Sequence, residues 1–230
     1  MMKTSLSGQG WLIARNRSLV QNSNHITGTI LDLKQGRRDF IAFGAGSEKS
    51  QRSQTILLGN EIRYVLEGRD QNTYVLKEAS LVSENREIKD NPQKLNEFFL
   101  LCDVWYNLLS EEKPFPEISS LLHYLKMHKR TQHLVFVHLV HLFQEENLFL
   151  EDWEKASQEE KSEFLETIGL PHWQMGSGTK RFFLDALQKP LDFFIDKIPS
   201  PSVMKEMFTL LKATYESYTG KEMFSLEEEK

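Results

Sequence analysis

The hydrophobic pattern changes its period once, near residue 84, and this constrains the fold more than any other feature. Before that point, apolar and β-branched residues come in short runs separated by glycines and polar clusters. After it, they recur at three- and four-residue spacing. A period of two puts alternate side chains on opposite faces of a strand, whereas 3.6 gathers them on one face of a helix. The expected class is therefore α+β with two domains, strands over 1–83 and an all-helical domain over 84–230.

The strand region reads as five short strands. Trp11 to Arg15 opens it, and the β-branched run from Ile26 to Leu33 follows. Gly36 supplies a turn into Asp39 to Phe43, so the pair reads as a hairpin. The stretch Gly44 to Ser53 is small and polar and is expected as a loop. Two more strands are expected over Thr55 to Leu66 and Thr73 to Ser83. Five strands at this spacing favour a small closed barrel over a flat sheet with two open edges.

The helical region starts with Asp90-Asn91-Pro92, which combines an N-cap side chain with proline in the first turn. Leu95, Phe98, Leu101, Cys102, Trp105 and Leu108 then keep helical spacing. Further helices are expected from Ile118 to Leu125, Leu134 to Phe143, Glu154 to Leu170, Thr179 to Leu187 and Ser202 to Tyr218. The helix from Leu134 to Phe143 is apolar nearly all round, which predicts a central position.

Charge divides at the same place. Residues 1–83 carry a net +4 and residues 84–230 a net −9, within a total of −5. A basic front on an acidic back is the asymmetry expected when one half meets phosphate. No run of eighteen apolar residues marks a membrane span, and residues 1–10 lack the apolar core of a secretory signal. The single cysteine, Cys102, excludes an internal disulfide and a cysteine-built zinc site; it reads as a core residue in a reducing, cytoplasmic protein. No phosphate-loop or nucleophile-elbow motif is present, and the Gly44-Ala45-Gly46 segment lacks a following helix in this reading.

Two clusters carry candidate chemistry. The DNA-binding candidates are Arg15, Arg17, Lys34, Arg37, Arg38, Lys49 and Arg52, with Arg63 beside them, all in or next to loops of the barrel. Cations there neutralise phosphates and release counterions. Trp11, Phe40, Phe43 and Tyr64 are barrel aromatics on which bases stack where exposed, and strand alternation turns half of them inward. A second basic group, Lys126, Lys129 and Arg130, lies beside Leu121, Leu122 and Leu125 in the acidic half and is the candidate partner-binding surface. Five histidines from His123 to His141 read as helix-packing residues, with a metal site as the minor alternative because His138 and His141 share a face.

The order of these features resembles the RecO family of bacterial recombination mediators. The resemblance rests on Gly10-Trp11-Leu12-Ile13-Ala14-Arg15-Asn16-Arg17 as a first strand and on Phe43-Gly44-Ala45-Gly46-Ser47-Glu48-Lys49-Ser50 as a basic glycine-containing loop. Leu76-Lys77-Glu78-Ala79 ends the barrel pattern. Pro114-Phe115-Pro116-Glu117 leads into the helices, and Thr219-Gly220-Lys221 lies in the closing tail. It implies an OB-fold (oligonucleotide-binding) barrel and a non-enzymatic DNA repair protein. Such a protein binds single- and double-stranded DNA, anneals strands, and works with RecR and the acidic tail of single-strand-binding protein to load RecA. Many members carry a four-cysteine zinc site, from which this chain departs, so no cofactor or metal is expected. The alternative is a barrel that binds protein and not DNA.

Overall fold

The computed structural model describes residues 5–17, 24–46, 51–70, 73–109 and 117–224. Five strands come first: β1 (Ser5–Arg17), β2 (Ile26–Asp32), β3 (Gly36–Ala42), β4 (Glu61–Asp70) and β5 (Thr73–Ser83). Helix α1 (Gln51–Thr55) lies between β3 and β4. Helices α2 (Arg86–Lys89) and α3 (Pro92–Leu108) follow the strands. The remaining helices are α4 (Glu117–Met127), α5 (Gln132–Glu145), α6 (Gln158–Thr167), α7 (Ser177–Gln188) and α8 (Pro201–Thr219), with a 3-10 turn at Leu191–Phe194. The class is α+β, as the change of period predicts. No helix among the described residues is long and apolar enough to cross a membrane.

The strands pair in the order β1-β2-β3-β5-β4, and β4 returns to β1, so the sheet closes into a barrel. All neighbours are antiparallel except β3 and β5, which run parallel through Phe40 with Tyr74 and Ile41 with Val75. Closure removes the unpaired edges that an open sheet would leave. Leu12, Ile30, Phe40, Ile62, Leu66 and Leu76 fill the interior. The β2–β3 hairpin turns on Gly36, whose φ of 80° suits glycine. Gly28 is needed for a different reason: a Cβ there would lie 2.7 Å from the ring of Phe40.

Short helix α1 stands where the sequence predicts loop and the start of a strand. Its last carbonyls, those of Gln54 and Thr55, accept from the buried Asn60 amide at 3.2 and 2.9 Å. A single turn has no hydrophobic period to read; a side chain several residues away satisfies its end. Strand β4 accordingly begins at Glu61, not Thr55.

The chain divides into compact units at 1–116 and 117–230. The change of secondary structure at residue 84 and the division of the chain therefore do not coincide. Helix α3 stays with the barrel because Trp11 on β1 packs on Phe98, with ring centroids 5.8 Å apart, and Phe98 packs on Trp105. Asn91 caps α3 as the sequence predicts, its side chain accepting from the Lys94 amide at 3.1 Å.

In the second unit α5 is the central helix. Every residue from His133 to Val140 is buried. Phe183 of α7 meets Phe149 and Trp153 at 5.2 Å each, and Phe136 stacks on Phe208 of α8. Helix α6 starts at Gln158, later than the predicted Glu154, because Ser157 and Glu160 form a reciprocal capping box there.

Candidate functional site

Strand alternation decides where the predicted cations go. After a bulge between Leu12 and Ala14, Arg15 pairs with Gly28, whose missing side chain would face the interior. Arg15 thus turns inward and donates to the Ser53 hydroxyl of α1 at 3.0 Å. Arg37 faces outward but is only 18% exposed. Its guanidinium lies 5.4 Å over the Tyr106 ring of α3 and donates to the Tyr106 carbonyl. Arg38 donates to the Arg37 carbonyl at 2.9 Å, and Arg52 to the Lys77 carbonyl at 2.8 Å. Four of the seven predicted DNA-binding side chains are therefore engaged with the protein itself. Lys34 is exposed at the hairpin tip. It shares an open groove of about 710 Å³ with Arg63, Gln9 and Gln35. Lys49 and the side chain of Arg17 lie outside the described residues.

The aromatic residues divide as alternation requires. Phe40 and Tyr64 are interior. Tyr64 donates to Asp32 at 2.6 Å, and burial, followed by that hydrogen bond, pushes its pKa up. Trp11 faces outward but is covered by α3. Phe43 is 39% exposed, edge-on to His25.

The outer face of β2 and β3 holds a cleft that no cation count reveals. It encloses about 250 Å³ and is lined by Asn16, Thr27, Thr29, Asp39, Ile41 and Tyr106, among others. Register places Asn16 beside Thr27 and Thr27 beside Ile41, with Thr29 opposite Asp39 one step on. The Thr29 hydroxyl donates to Asp39 Oδ1 at 2.6 Å, and the Thr27 hydroxyl to the Asn16 carbonyl at 3.5 Å. Tyr106, 38% exposed, supplies a ring at the wall. The arrangement offers a planar apolar surface next to hydrogen-bonding side chains. Sequence reasoning missed it because Tyr106 comes from a helix assigned to the other domain.

The predicted partner surface is altered. Leu121 and Leu125 are fully buried and Leu122 is 3% exposed, so they form core and no apolar groove beside the cations. They lie on the face of α4 that carries Ile118, also fully buried. Lys129 and Arg130 are exposed and Lys126 is half-buried.

Two of the histidines, His138 and His141, serve as a helix joint. Glu117 at the start of α4 meets His138 Nδ1 at 2.8 Å and His141 Nδ1 at 2.5 Å. His141 Nε2 faces the Ala186 carbonyl of α7 at 2.7 Å. Burial acts to raise the Glu117 pKa, but both histidine contacts outweigh it and hold it at about 2. For His141 burial acts downward, while Glu117 and the α7 carbonyls lift the pKa above its ordinary value. Burial lowers that of His138. The described residues hold no group of three or more metal-ligating side chains arranged for an ion. Cys102 is buried, and burial pushes its thiol pKa up, which disfavours the reactive thiolate.

Scanned against protein-family models and against curated proteins, the chain matches none.

Proposed function

We propose that this chain is a DNA-binding mediator of recombination and repair of the RecO kind, built on an OB-type barrel. In this reading it binds single- and double-stranded DNA and anneals complementary strands. It acts with RecR on DNA coated by single-strand-binding protein, so that RecA is loaded. It performs no covalent chemistry, and its place is the cytoplasm.

The observation that carries the proposal is the closed order β1-β2-β3-β5-β4, with its parallel β3–β5 contact and an open cleft on the outer face of β2 and β3. Barrels of the oligonucleotide-binding type receive nucleic acid on that face. Tyr106 and Phe43 are exposed rings on or beside it. Stacking on such a ring contributes about 1–3 kcal/mol per base. Lys34 and Arg63 bring positive charge to a separate groove of the barrel that also holds Asp32 and Glu61. Annealing then needs only positioning: cations let two strands approach, and base pairing reads the sequence.

A second reading, an interaction adaptor without DNA binding, has its own support. Leu81 and Val82 on β5 are 45% and 41% exposed, which suits a protein partner, and barrels of one fold serve several functions.

Fluorescence anisotropy with a labelled single-stranded oligonucleotide at two salt concentrations separates the two. The mediator reading expects binding that weakens steeply as salt rises. Lys34→Glu should weaken it further. Absence of binding at low salt would favour the adaptor.

A further inference from the structure

The β2–β3 cleft has a hydrogen-bonding polarity that follows from which protons are already committed. The Thr29 hydroxyl proton is directed to Asp39, and that of Thr27 to the Asn16 carbonyl. At 2.6 Å the Thr29 proton is committed to Asp39, whereas the Thr27 contact is long at 3.5 Å and leaves that hydroxyl able to donate or accept. Asp39 is an acceptor throughout when ionised; its Oδ1 takes Thr29, while Oδ2 lies 4.0 Å from Arg37 Nη2. Its side chain is 40% exposed, so the carboxylate is reachable. Thr29 is buried at 2% exposure, so the acceptor that β2 and β3 present to a ligand is the Asp39 carboxylate. Arg37, the nearest cation, is not among the lining residues; it packs on Tyr106 from α3. At the margins the exposed Asn16 amide and the Tyr106 hydroxyl add donors.

We propose that this cleft is a base-selective subsite: Tyr106 stacks one nucleobase of a single strand, and Asp39, held by the Thr29 hydroxyl, accepts from its exocyclic amino group. The proposal rests on the nucleic-acid reading above and adds to it a chemical preference. Cytosine presents an amino donor where thymine presents a carbonyl oxygen, and a carboxylate accepts from the first and repels the second. A volume of about 250 Å³ suits a single base, not a run of them. Neighbouring nucleotides would be held by charge and by Phe43, without selection.

The test compares fluorescein-labelled oligo-dC and oligo-dT of equal length on the full chain at one salt concentration. Both are flexible pyrimidine strands, so stacking and backbone differ little. The expected result is dC binding about five- to tenfold tighter than dT, the scale of one charge-assisted contact. Asp39→Asn introduces amide protons in the same shape and should bring the dC-to-dT ratio to one or below. Tyr106→Ala should weaken both strands. Equal wild-type affinity for dC and dT, or a dC preference unchanged in Asp39→Asn, overturns the subsite while leaving DNA binding intact. Failure of both strands to bind at low salt overturns the nucleic-acid reading itself. The wild-type ratio needs no variant, so a folding defect in Asp39→Asn does not blunt the test.

Discussion

The two compact units join their elements by different means. In residues 1–116, polar side chains make many of the joints: Arg15 reaches Ser53, Arg37 covers Tyr106, Tyr64 donates to Asp32, and Asn60 closes α1. In residues 117–230, rings do most of that task around α5 and α7, and one polar knot, Glu117 with His138 and His141, ties α4, α5 and α7. A barrel's pairing is set by its backbone, so its side chains are free to be directional at the ends and outside. Helices lack any backbone bond to one another and must be placed by packing. The difference teaches that the excess of positive charge in the first half is partly architectural. A count of arginines overstates the charge available to phosphate.

The comparison breaks first, and hardest, in the helical unit. Phe183 is fully buried between Phe149 and Trp153. Phe183→Ala should cost about 3–5 kcal/mol through lost burial and a residual cavity, read as a lowered denaturant midpoint. An effect below about 1 kcal/mol would mean that the aromatic cluster is not what orders these helices.

The polar knot is the next test. Glu117→Gln leaves His141 facing one charged partner fewer and should cost about 2–3 kcal/mol near neutral pH, below the fully buried limit because the pair is partly exposed. The pH dependence follows from the direction of each shift. His141 has a raised folded pKa, so its contribution is complete below the unfolded value near 6.5 and fades as pH rises through the folded one. Glu117 has a depressed folded pKa, so its contribution is present above about 4.5 and is lost as pH falls toward about 2. His138, depressed, opposes His141: its contribution is present above 6.5 and fades on acidification. The stability difference between the native chain and His141→Gln should therefore be larger at about pH 6 than at alkaline pH, measured by urea unfolding. A difference that grows with pH would contradict the arrangement.

The smallest effect sharpens the barrel side. Arg37→Ala removes a cation–π contact and a hydrogen bond to Tyr106 and should cost about 1–2 kcal/mol, seen as faster amide exchange in α3. If Arg37 serves α3 and not phosphate, the salt dependence of DNA binding should change less for Arg37→Ala than for Lys34→Ala.

Much of the fold was legible in the residues. Asn91-Pro92 marks the start of α3, and Gly36 marks the hairpin. The all-apolar run of α5 announces a central helix. Helix α1 was not legible, because five residues carry no period and its end is satisfied by Asn60 beyond it. Of the candidate site, the place of Lys34 at a hairpin tip was accessible from the turn, and alternation required that half of the barrel aromatics turn inward; that Phe40 and Tyr64 are the inward ones was not legible. The retreat of Arg15 was not, since the bulge between Leu12 and Ala14 resets the parity of β1. Leu121 and Leu125 were misjudged as a groove because helical spacing marks an apolar face without saying whether another helix covers it.

By itself the sequence determined the types and order of the longer elements and the charge asymmetry, since period, caps and turn residues act over a few positions along the chain. Only the tertiary structure decided that α3 belongs with the barrel, that four arginines turn to their own protein, and that Tyr106 lines one cleft with Thr27, Thr29 and Asp39. Those outcomes depend on contacts between residues far apart in the chain, such as Arg37 with Tyr106, and nothing local in either segment encodes such a meeting.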